Sequence, residues 1–109
     1  MDANKESMII IQGQFDMHSE DIESAKELAR ALTRETVRED GCSHYAFATD
    51  LIHPNRLQLS ECWRDDTALA RHLETPHIKS FRSGMGKLRV EARVVKRYEI
   101  ASATDLAQH

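Results

Sequence analysis

The chain has 109 residues, 40% of them apolar and 30% charged, with a formal net charge of -3. That length makes one domain with one small core, and the acidic balance argues against the basic surface that displaces counterions from nucleic acid. The longest apolar run, MIII at residues 8–11, is far short of the roughly 20 residues that cross a bilayer, and the polar start before it does not look like a signal peptide. The expectation is a cytoplasmic protein without nucleic-acid or membrane partners. One domain is expected over residues 1–109, with an ordered core over about 8–100 and polar tails at both ends.

Residues 8–15, MIIIQGQF, read as a strand covered on both faces. A long helix is expected from Glu20 to about Glu39, because Ile22, Ala25, Ala29, Leu32 and Thr36 recur at helical spacing. Ser19 is placed as its N-cap and Gly41 stands just past its end. Two alternating segments follow, CSHYAFATD and LQLSECW, joined by a turn at Pro54 and Asn55. Together they read as an antiparallel hairpin. Pairing Tyr45 with Glu61 and Phe47 with Leu59 puts Tyr45, Phe47, Leu57, Leu59, Glu61 and Trp63 on one face. Glu61 is then the one carboxylate on a mainly apolar surface.

Asp65 suits the N-cap of a short helix over residues 66–74 that buries Leu69, Leu73 and His72. Thr75 and Pro76 start another, which runs to about Ser83, buries Ile78 and Phe81, and is stopped by Gly84 and Gly86. A last strand covers residues 92–100 at least, with Val94, Tyr98 and Ile100 on one side. The order β-α-β-β-α-β, with its second helix split, is the α+β ferredoxin-like pattern of an antiparallel sheet with helices on one face. The bare face of that sheet is expected to meet a second copy in a homodimer. Cys42 and Cys62 lack the spacing of a zinc site or a disulfide framework, and read as small buried thiols, with a geometrically demanding cross-strand disulfide as the alternative.

The run EDGCSHYAFATDLIHPNRLQLSECWRDDTALARHLETPHIKSF, residues 39–81, resembles the antibiotic biosynthesis monooxygenase (ABM) family, in its Gly-Cys turn, Tyr-x-Phe strand, Pro-Asn turn, Glu-x-Trp and His-Leu-x-Thr-Pro-His break. The resemblance implies a dimeric α+β barrel with a pocket between sheet and helices in each subunit. It also implies oxidation of a hydroxylated aromatic, a quinol or polyketide phenol, by O2 without a cofactor. Haem degradation, known in a branch of such proteins, is disfavoured because Arg82 stands where that branch has its ring-holding histidine. A non-catalytic dimer that binds a small aromatic molecule is the alternative from another class.

His72 and His77 are the candidates for proton transfer, since imidazole titrates near neutrality. They straddle Thr75 and Pro76, so they are not an i, i+4 metal pair, and no metal site is expected. Glu61 is the candidate to orient one of them, or to act as an acid or base itself. Trp63 is expected to form a flat wall for the substrate, with Tyr45 and Phe47 beside it. For each of these residues, packing within the core is the competing role.

Overall fold

The computed structural model describes residues 7–109. The N-terminal tail expected before the first strand therefore lies, apart from Ser7, outside the described residues. The elements run β1 (Met8–Met17), α1 (Ile22–Thr36), β2 (Cys42–Thr49), β3 (Arg56–Trp63), α2 (Asp66–His72), α3 (Pro76–Met85) and β4 (Val90–Ile100). The four strands form one antiparallel sheet in the order β2-β3-β1-β4. This is the α+β ferredoxin-like arrangement, with the split second helix. Among the described residues, no helix is long and apolar enough to cross a membrane.

The hairpin pairs as its alternation requires, Tyr45 opposite Glu61 and Phe47 opposite Leu59. β1 differs from the expected doubly covered strand. Ile9, Ile11, Phe15 and Met17 are buried on the helix side, while Met8, Ile10, Gln12 and Gln14 share the other face. The glutamines break the apolar run, and β1 is the half-covered strand of an antiparallel sheet. β4 reaches back to Val90, includes Glu91, and pairs only with β1, so it forms an edge.

α1 lies on the sheet through Ile22, Ala25, Ala29, Leu32 and Thr36, all buried, as its periodicity requires. Its ends are shorter than the sequence suggests. The N-cap is Asp21 rather than Ser19, and the Asp21 carboxylate makes no cap bond because it accepts from the backbone and guanidinium of Arg89. At the other end the helix stops at Thr36 with Val37 as its C-cap, and turns closed by the amides of Arg38 and Glu39 lead on into β2. Gly41 has φ +88°, and a Cβ there would lie 2.5 Å from the Ala68 Cβ, so both conformation and space require glycine.

Asp65 caps α2 by accepting from the Ala68 amide at 2.8 Å, and Thr75 caps α3 through Ile78 with Pro76 in the first turn. Two expectations fail here. Leu73, expected in the core, is 37% exposed at the end of α2. Gly84 does not stop α3, which runs to Met85. A Cβ on Gly84 would meet the Leu28 side chain at 2.6 Å, so this glycine allows α3 to pack closely against α1.

Candidate active site

β2, β3 and β1 present an aromatic and aliphatic surface toward the helices, and α2 and α3 cover only part of it. Between them lies an open cavity of about 580 Å³. Its floor comes from Ile11, Phe15, Tyr45, Phe47 and Leu59. Its far wall comes from Leu69 and His72 on α2 and Ile78 and Phe81 on α3. The inward side of β4 borders it with Arg93, Val95 and Arg97, and Arg82 of α3 stands opposite. Arg97 donates to Asp66 at 2.7 Å, which ties the edge strand to the start of α2. The aromatic rings touch in sequence, with centroids 5.9 Å apart for Tyr45 and Phe47 and 5.8 Å for Phe47 and Phe81.

Tyr45, Phe47, Glu61 and His72 line this cavity, so four of the six residues singled out in the sequence come together there. Trp63 does not. Its position in the strand points it at the helices, but α2 sits directly over it, and the ring is fully buried, 4.7 Å from the His72 ring. His72 holds the place on the wall that the sequence assigns to Trp63. His77 is also away from the cavity, next to Pro76 in the first turn of α3 and on the side facing α1.

Glu61 holds neither histidine. Its Oε1 accepts from the Trp63 Nε1 at 2.8 Å, a bond between neighbours on the same face of one strand. Burial raises its pKa to about 7, opposed by that hydrogen bond and assisted by the charge of Glu39. Burial likewise pushes the Tyr45 hydroxyl far up, so it remains protonated.

The residue that organises the histidines is Glu39, which the sequence reading left as the end of a helix. Its Oε2 contacts the His72 Nδ1 at 2.7 Å and the His77 Nε2 at 2.6 Å. A carboxylate only accepts hydrogen bonds, so both imidazoles donate to it. That fixes the His72 tautomer with its proton on Nδ1 and leaves the Nε2 lone pair free of Glu39, on a ring that borders the cavity yet is only 1% exposed. Burial lowers the His72 pKa below the ordinary 6.5, against the pull of Glu39, so the ring is neutral at pH 7. A signal for Glu39 did exist. A glutamate following the carboxyl end of a helix stands in an unfavourable dipole field unless something else holds it.

Glu39, His72 and His77 also place one carboxylate oxygen and two imidazole nitrogens within 4.8 Å of one another, a donor set suited to a divalent transition metal. Without an ion between them, the oxygen-to-nitrogen contacts of 2.7 and 2.6 Å are hydrogen bonds.

The molecule is thus a ferredoxin-like α+β domain with an apolar cavity between its sheet and its split helix, bordered by His72. The family can be stated as well. The antibiotic biosynthesis monooxygenase model matches residues 8–84, and the chain belongs to that family. It is 26% identical over 98 residues to an uncharacterised protein of Synechocystis, covering 90% of this chain and 67% of that one. Among solved structures, a candidate antibiotic biosynthesis monooxygenase from Deinococcus radiodurans superposes with a TM-score of 0.83 at 24% identity, covering 90% of this chain and 97% of that chain. A protein from Mycobacterium tuberculosis gives a TM-score of 0.80 at 24% identity, covering 94% and 100%. At these identities the structures establish the fold alone.

Proposed function

We propose that this protein is a monooxygenase that oxidises a hydroxylated aromatic, a quinol or polyketide-type phenol, with O2 and no cofactor. The observation that carries the reading is the setting of His72, a neutral imidazole on the wall of an aromatic-lined cavity with its Nδ1 proton held by Glu39. In this reading the His72 Nε2 removes a proton from the substrate, and the resulting anion is electron-rich enough to reduce O2 directly. The two recombine as a ring hydroperoxide. For an anthrone, the CH2 carbon becomes a carbonyl and the second oxygen atom leaves as water, taking back the proton from the His72 imidazolium. Tyr45, Phe47 and Phe81 hold the ring and keep water from the anion. Trp63 supports His72 from behind, and Glu39 is a positioning residue.

The assembly proposed with this activity is a homodimer through the sheet face opposite the helices. That face presents Val94, 49% exposed, and Tyr98, 42% exposed, beside Ala46 and Ala48, with Lys96 the charged residue among them. Light scattering at micromolar concentration should give twice the 12.5 kDa chain mass. A stable species of the single mass overturns the dimer. Oxygen uptake with a panel of quinols and anthrones tests the activity. Substrate-dependent consumption, unchanged by a chelator, supports a monooxygenase. Absence of uptake together with saturable binding of the same compounds favours the non-catalytic binder.

A further inference from the structure

The proposed substrate site has a mouth whose charge the oxidation itself does not call for. Arg82 on α3 and Arg93 on β4 both border the cavity and are exposed. Among the described residues, neither guanidinium is paired with a carboxylate. Arg97 beside them differs, being held by Asp66 at 2.7 Å and Glu99 at 3.1 Å. The chain as a whole carries a net charge of -3, so two uncompensated cations at one opening reverse the prevailing sign there. Arg93 also lies 5.9 Å from the centre of the Phe15 ring, and its planar group is thereby laid against the apolar wall. Deeper in, the lining is aromatic and aliphatic, and its one carboxyl, Glu61, would repel a second anion.

We propose that the ligand of this cavity is a hydroxylated aromatic carboxylate, with its ring system on Phe47 and Tyr45 and its carboxylate between Arg82 and Arg93 at the mouth. The inference rests on the proposed function for the location of the site and adds the class and orientation of its ligand. A guanidinium presents paired N–H groups that match the two oxygens of a carboxylate, which a neutral phenol cannot use. With the carboxylate held outside, the hydroxyl end of the molecule enters first, toward His72. The two arginines thus select both which aromatic binds and which end of it reaches the base.

The test is calorimetric titration under nitrogen with 6-hydroxy-2-naphthoate, whose hydroxyl and carboxylate stand at opposite ends of the ring system, and with 2-naphthol, which differs from it by the carboxylate alone. The wild type should bind the naphthoate roughly 10-fold to 100-fold more tightly, the span expected for charge-assisted hydrogen bonds. Raising the salt concentration should weaken the naphthoate and spare the naphthol. In the double variant Arg82→Gln with Arg93→Gln, whose altered side chains are exposed and leave the core intact, naphthoate affinity should fall to that of naphthol. Equal binding of the two compounds by the wild type, or a double variant that retains the preference, overturns the carboxylate inference and leaves the cavity as the binding site. If the wild type binds neither compound, the inference and the reading of the cavity fall together.

Discussion

Glu61 accepts one hydrogen bond, from the Trp63 indole, whereas Glu39 accepts two, from His72 and His77. Glu61 stands on a strand inside the core, and burial makes its ionisation costly enough to raise its pKa to about 7. Glu39 comes from a turn with its side chain 14% exposed, and spends its charge on two imidazole protons. Both carboxyls could be mistaken for a catalytic base. The comparison separates them by role. Glu61 is held by Trp63 within the core, while Glu39 holds His72 and, in the proposed mechanism, acts through it.

The largest effect that would break this division is at His72. His72→Ala should lower turnover by roughly 10² to 10⁴, the usual worth of positioned proton transfer, with circular dichroism confirming that the variant is folded. A variant with wild-type oxygen uptake removes His72 from the mechanism. Next comes Trp63→Ala, which empties the most deeply buried part of the core, where the ring is 0% exposed, and should cost roughly 3–5 kcal/mol in urea unfolding. A loss below about 1 kcal/mol would mean that the ring is dispensable and that His72 needs no support from behind. Glu39→Gln should follow, with turnover down roughly 10-fold to 100-fold, because the amide no longer dictates which imidazole nitrogen carries the proton. An equal loss in His77→Ala would contradict the assignment, since His77 faces away from the cavity.

The smallest effect concerns stability against pH, and here the two sites have opposite signs. Glu61 has a folded pKa of about 7 against an ordinary 4.5, so the native state holds the proton more tightly. Its contribution is full below pH 4.5 and is lost as pH rises through 7. His72 has a folded pKa below its ordinary 6.5, so its contribution is present above 6.5 and is lost as pH falls through the folded value. Glu61→Gln should therefore gain on the order of 2 kcal/mol relative to the wild type between pH 5 and pH 8 in chemical unfolding. A constant difference across that range would mean that Glu61 titrates normally in the folded protein.

The hairpin register and the apolar face that forms the cavity floor were legible in the sequence, because alternation in two strands joined by a short turn leaves one pairing that buries the large side chains together. His72 was legible as a residue on the buried side of its helix. The wall was not. Alternation tells which way Trp63 points but not what lies over it, and α2 seals it under His72. Glu39 was hidden for a related reason. It joins His72 and His77 across 33 and 38 residues, a closeness created only when the turn after α1 meets α2 and α3. The glutamines of β1 were visible at Gln12 and Gln14, yet the isoleucines before them dominated the reading of the strand. Arg82 and Arg93 come from a helix and an edge strand that meet only at the cavity mouth.

The division between the two carboxyls is tested most directly by the pH dependence of kcat/KM in the wild type and in Glu61→Gln, with one quinol substrate. If His72 is the base, the rate of both enzymes should rise through an ionisation below pH 6.5 and then level, because that group is shared and Glu61 is not used. A wild-type profile that rises near pH 7, and whose ionisation disappears in Glu61→Gln, would make the strand carboxylate the base and contradict the account.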